Sequence, residues 1–102
     1  MKLRAGQQLV SAVDTTKMIV VRAPGEEVTV TCAGVAMHEP TSAAPTGVEA
    51  DPSQLGGVVL GKRYADDALG IELLCAKAGS GTVAVNGTPL EIQGAKALPA
   101  SD

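Results

Sequence analysis

The chain has 102 residues and a formal net charge of −3, and its apolar content is carried by 16 Ala, 12 Val and 9 Leu, with no Phe or Trp and one tyrosine, Tyr64. That is enough for one domain with a single modest core. Basic residues stand singly apart from Lys62-Arg63, and there are no aromatics to stack bases, so nucleic-acid binding is excluded as an expectation. Apolar runs reach only four or five residues, as in Met18 to Val21, against the ~20 a membrane-spanning helix requires.

The N-terminus, "MKLRAGQQLVSAV", has no apolar stretch of signal-peptide length, which leads us to expect a cytoplasmic protein. Small side chains bury little area each. At about 25 cal/mol per Å² the core is marginal against chain entropy, so a homo-oligomer or a protein partner is expected to cover a further apolar face.

In chain order, residues 8–13 ("QLVSAV"), 17–23 ("KMIVVRA") and 27–32 ("EVTVTC") read as three short strands of an antiparallel meander. They are separated by the turn formers Asp14-Thr15-Thr16 and Pro24-Gly25. In the third, Val28, Val30 and Cys32 alternate with Thr29 and Thr31, which places Cys32 on the core side. Residues 39–57 carry three of the six prolines and no periodicity, and read as a long loop, disordered or loosely packed.

Strands resume at 58–64 ("VVLGKRY"), and the helical candidate 64–69 ("YADDAL") is one turn at most. In 71–76 ("IELLCA") Ile71, Leu73 and Cys75 share one face, so Cys75 also points inward. Residues 82–85 and 88–92 flank Asn86-Gly87, the strongest hairpin signal in the chain, and residues 93–102 read as a loose tail. With no crossover helices the expected fold is all-β: a small antiparallel sandwich or partly closed barrel of about seven short strands, a single domain over 1–102 with one long central loop.

Chemistry-bearing residues are few. Cys32, Cys75 and His38 are the available soft or borderline metal ligands, three where a closed zinc site takes four, and they would hold iron or zinc only with a shared or open fourth position. The plainer reading makes both cysteines small buried hydrophobes. A disulfide between them, 43 residues apart, would contribute roughly 4 kcal/mol on the chain-entropy model, but without an export signal both are expected to be thiols. His38 is the one imidazole that would activate a cysteine or serine, and its six-residue spacing from Cys32 across a strand end gives little support to a hydrolase.

Lys62, Arg63 and Tyr64 would hold an anion such as a carboxylate or phosphate, or else form a solvated strand end. The glycines of "LGG" (55–57) and "AGSG" (78–81) lack a helix behind them and read as turns, not as a phosphate loop.

The stretch "VTVTCAGVAM" resembles the end of a desulforedoxin-type iron domain, where a strand leads into Cys-Cys-Gly-x-x-Met and the paired cysteines ligate iron. Cys32 matches one of that pair; Thr31 and Ala33 flank it where a second cysteine would stand, and the earlier Cys-x-x-Cys is missing. Over its full length the Ala/Val/Gly-rich chain resembles short proteins of high-GC actinobacteria, which implies a bacterial protein and no particular activity. Three readings therefore stand, with no catalytic residue assigned. The first is a non-enzymatic association or accessory domain, with no cofactor. The second is a small metal-binding or redox protein using Cys32, Cys75 and His38. The third is a small-ligand or anion module around Lys62, Arg63 and Tyr64.

Overall fold

The computed structural model describes residues 2–41 and 47–92, and within them the chain is all-β: nine short strands in two open antiparallel sheets. The strands are β1 (Gln8–Val10), β2 (Lys17–Arg22), β3 (Val30–Cys32), β4 (Val35–Ala36), β5 (Arg63–Asp66), β6 (Ile71–Lys77), β7 (Val83–Val85), β8 (Thr88–Pro89) and β9 (Glu91–Ile92). The larger sheet has the order β1-β2-β6-β5-β9 and the smaller β4-β3-β7-β8. The antiparallel all-β expectation holds, with nine strands in place of about seven because the 88–92 run divides into β8 and β9 and β4 forms where no strand was expected.

Alternation decides which residues fill the core. Val28, Val30 and Cys32 are buried while Thr29 is exposed, and Ile71, Leu73 and Cys75 are all 1% exposed or less. The β2–β6 register sets Met18 opposite Cys75 and Val20 opposite Leu73. The larger sheet thus presents thioether, thiol and aliphatic groups to a core that also takes Leu9, Val83, Val85 and Tyr64. A register shift between Val20 and Arg22 leaves Val21 as the extra residue of a bulge, and its side chain is turned outward.

The two tight hairpins have the backbone their short loops demand. Asn86 and Gly87 between β7 and β8 have φ of 52° and 86°, and Ala33 and Gly34 between β3 and β4 have φ of 53° and 80°. Both are pairs of left-handed residues, as a twisted two-residue hairpin needs. Asn86 is further tied down by accepting the Thr29 N–H on Oδ1 at 2.9 Å and by donating its own N–H to the Thr29 carbonyl at 2.8 Å.

Several boundaries differ from the sequence reading. The three-strand meander does not form: β1 and β2 pair, but β3 leaves for the other sheet and β2 takes β6 as its second neighbour. The first predicted strand stops at Val10, because the Ser11 Oγ accepts the backbone N–H groups of Val13 and Asp14 and folds the chain into a turn. The helical candidate at 64–69 is instead the end of β5 and a turn, in which Asp66 Oδ1 accepts the N–H of Ala68 at 2.9 Å. Its alternating neighbours Tyr64 and Ala65 pair with Leu73 and Glu72 of β6, so tertiary pairing overrides a weak local helical preference. The predicted strand 58–64 reduces to a single bridge, Val58 to Gly79, followed by a turn and then β5. Residues 88–92 split about buried Leu90 and change sheets there. The predicted tail 93–102 and residues 42–46 of the long loop lie outside the described residues.

Candidate functional site

Two places concentrate polar or unpartnered groups. The first is a buried node where the β1–β2 turn, the end of β3 and the β6–β7 connection meet. Asp14 is its centre: Oδ1 accepts the Thr16 N–H at 2.9 Å and Oδ2 accepts the Gly81 N–H at 2.8 Å. The Cys32 thiol lies 3.7 and 3.9 Å from the same two oxygens and donates toward them. Burial works to raise the Asp14 pKa, but the hydrogen bonds from the backbones of Thr16 and Gly81 outweigh it, so the carboxyl is held below its usual value and stays ionised.

Positions 79 and 81 approach this node so closely that only glycine fits at either. A Cβ on Gly79 would collide with Thr16 Oγ1 and lie 2.8 Å from Asp14 Oδ2, and one on Gly81 would lie 2.5 Å from Cys32 Sγ. These two glycines, which the sequence suggested only as turn residues, are a backbone docking surface for the carboxylate. Thr16 Oγ1 is buried and close enough to influence both Asp14 and Cys32, yet it meets no partner at hydrogen-bonding geometry.

The node suppresses thiol chemistry. Burial pushes the Cys32 thiol up, and the adjacent Asp14 charge adds to that against the opposing Thr16 and Ser11 hydroxyls. Burial raises Cys75 as well, with Cys32 nearby adding and a Lys77 main-chain contact opposing. A thiol with a raised pKa beside an anion is the reverse of an activated nucleophile. The two cysteines are free, come from opposite sheets, and are near enough to interact electrostatically.

His38 is placed elsewhere. Its backbone pairs with Val10 at the outer edge of β1, with N–H to O distances of 2.7 and 3.1 Å, and its Nδ1 is buried without a partner. Among the described residues no group of three or more His, Cys, Asp or Glu side chains is gathered closely enough to hold a metal ion.

Of the predicted anion-binding trio, Lys62 and Arg63 are exposed while Tyr64 is buried on the opposite face of β5. Arg63 donates to Glu72 Oε2 at 3.1 Å, and the Tyr64 hydroxyl accepts the Val59 N–H at 2.8 Å. The three do not converge on one point: tyrosine is a prop beneath the chain, and arginine partners a buried carboxylate on β6.

The second place is the segment 51–62, a strap that runs antiparallel to 75–82 and joins the two sheets. Its backbone is pinned along its length. Asp51 N–H donates to the Ala33 carbonyl at 2.8 Å, and Thr82 N–H donates to the Gln54 carbonyl at 2.9 Å. Gly56 N–H donates to Thr82 Oγ1 at 2.8 Å and Val58 N–H to the Gly79 carbonyl at 3.2 Å. Gly61 N–H donates to the Cys75 carbonyl at 2.9 Å. On this fixed backbone Leu55, Val59 and Leu60 are 48%, 50% and 62% exposed. With Val48, this stretch holds four of the five exposed large hydrophobic residues among the described residues; Val21 is the other.

No family model, no curated protein and no solved structure matches this chain. Among the described residues no helix is long and apolar enough to cross a membrane.

Proposed function

We propose that the protein is a non-enzymatic association module that works by presenting the 51–62 strap to another protein surface. The observation that carries this reading is the exposure of Leu55, Val59 and Leu60 on a segment whose backbone is held by main-chain bonds to residues 75–82. Single exposed hydrophobics scattered over a surface need no explanation, whereas several on one ordered segment mark a contact. The suppressed thiols and the dispersed polar residues agree with a role in contact over a role in catalysis. Sedimentation tests it: the chain runs above the mass of one copy, or a tagged chain retains a stoichiometric partner, and Leu60→Asp abolishes either association. A clean monomer with no retained partner overturns it.

A second reading rests on Cys32 and Cys75 facing one core from opposite sheets, with Asp14 against Cys32. Two thiols and a carboxylate are ligand types that zinc or iron accepts, but here the three are not gathered closely enough to hold the ion, so this reading requires them to draw together when the metal binds. Elemental analysis of purified protein decides: near-stoichiometric metal supports this reading, and its absence ends it.

A further inference from the structure

We infer that the surface received by the C-terminal end of the strap is a protein segment rich in carboxylates, seated on Lys17, Lys62 and Lys77 beside the exposed side chain of Leu60. This rests on the association reading above and adds the chemical class of the partner.

Register places these residues together. Val58 bridges Gly79 and Arg63 pairs with Leu74, both antiparallel, so residues 59–62 lie opposite 75–78. Within that interval Gly61 N–H donates to the Cys75 carbonyl and Cys75 N–H to the Lys62 carbonyl, each at 2.9 Å, which keeps the two segments side by side. The strap turns there, closed by Lys62 N–H to the Val59 carbonyl at 3.2 Å and allowed by the φ of 80° at Gly61. Leu60 stands in that turn, 62% exposed, alongside Lys77. On the other side of β6, Lys77 is the register partner of Lys17 on β2. Neighbouring strands lie about 4.8 Å apart, so three adjacent segments carry Lys62, Lys77 and Lys17 across one end of the larger sheet.

The charge at this end is not offset within the molecule. Like charges directly opposite each other weaken a strand pair, and Lys17 and Lys77 are so placed. Among the described residues none of the three lysines forms an ion pair. The carboxylate of the neighbouring β1–β2 turn, Asp14, is taken up by the N–H groups of Thr16 and Gly81. Lys62 and Lys77 are exposed and Lys17 is half-buried, so their ammonium groups are open to an anion from outside. A lysine meets a carboxylate as a point charge on a flexible stem and needs no cleft to do so.

The rest of the strap decides what bears the anion. Glu49 and Asp51 stand at its other end. A broad anionic plane such as a membrane leaflet, laid along the strap, meets those carboxylates as well as the lysines, whereas a protein segment of limited width meets the lysines alone. The backbone on both sides of Leu60 is bonded to residues 75–79, so the leucine is a fixed apolar spot and not a free loop tip that enters lipid.

The test is fluorescence anisotropy of a labelled synthetic peptide of alternating glutamate and leucine, added to the full chain at low ionic strength. A lysine–leucine peptide and phosphatidylserine vesicles serve as the contrasting probes. The glutamate peptide is expected to bind and to be released by salt. Lys62→Glu and Lys77→Glu each weaken it about fivefold, and the triple Lys→Glu variant about a hundredfold. Leu60→Asp weakens it about tenfold. Far-UV circular dichroism checks each variant, and the two exposed single variants carry the test should the triple one lose its fold. A carbodiimide then joins peptide carboxylate to lysine amine as an amide, itself taking up the water and leaving as a urea. Mass spectrometry is expected to find that link at Lys17, Lys62 or Lys77 and not at exposed Lys2. Absence of binding, equal binding by the Lys→Glu variants, linkage at Lys2 as readily as at the three, or a preference for the vesicles overturns the inference. A chain that fails in these ways yet still associates with protein through Leu60 leaves the association reading standing; a chain that associates with nothing overturns both.

Discussion

Replacing Asp14 by alanine removes the acceptor for two backbone N–H groups, those of Thr16 and Gly81, and both residues are buried. A hydrogen bond to a charged group contributes about 1.5 kcal/mol or more, so the two together put the loss near 3 kcal/mol. That is a large part of the roughly 5–15 kcal/mol expected for a chain of this size. Asp14→Asn keeps one acceptor oxygen and turns an N–H₂ toward a donor, so it should lose about half as much.

Urea unfolding followed by Tyr64 fluorescence and circular dichroism measures the effect. With m near 1.5 kcal/mol/M, a 3 kcal/mol loss lowers the midpoint by about 2 M at unchanged m. The pH dependence has a definite sign. The folded carboxyl lies below its unfolded value of about 3.9, so its contribution is complete above that pH and fades as pH falls below about 4 toward the folded value. Asp14→Asn should flatten that acid limb. Were the Asp14→Ala midpoint to match wild type, or the acid limb to persist in Asp14→Asn, the node would not be tying the loops together.

Thr16→Val removes a buried hydroxyl that has no partner and keeps the branched shape, so it should be neutral or raise stability by up to about 1 kcal/mol; a loss in chemical denaturation would reveal a partner for that oxygen. Gly81→Ala drives a Cβ against Cys32 Sγ and within 3.0 Å of Ala33 Cβ, at an expected cost of about 1–3 kcal/mol. Adding Cys32→Ala should recover part of that cost, and strict additivity in the double-mutant cycle would contradict the contact. Both thiols should resist an aromatic disulfide reagent at neutral pH in the folded protein and react stoichiometrically once it is unfolded; fast reaction of either in the native state would contradict the burial and raised pKa described above.

The core was legible because its signal is local: alternation at Val28, Val30 and Cys32, and at Ile71, Leu73 and Cys75, placed all six side chains on the buried side. The Asn86-Gly87 hairpin was legible because two adjacent residues carry its backbone requirement. The Ala33-Gly34 turn was not, since alanine rarely takes positive φ and here does so in a fully buried position closed by the β3–β4 pairing. The node stayed hidden because it joins positions 14, 32 and 81, and its key donors are backbone N–H groups, which composition does not display. The Asp-Thr-Thr turn and the spaced glycines of "AGSG" were the available signals, and each alone reads as an ordinary turn. The strap escaped notice for a similar reason. Its anchors are main-chain groups of Ala33, Thr82 and Gly79, while its own Pro, Ser and Gly content reads as loose chain.

The order in which the chain visits the two sheets governs how it can fold. It builds β1 and β2 in the larger sheet, β3 and β4 in the smaller, returns for β5 and β6, leaves for β7 and β8, and comes back at β9. Neither sheet is contiguous in sequence, and the central β2–β6 pairing joins Lys17 to Lys77 across most of the described chain. Such pairings pay loop-closure entropy before they return any burial, which places this protein among slow folders despite its size. A nascent chain halted before β6 would expose β2 as an unpaired, aliphatic edge, the species most open to aggregation during synthesis.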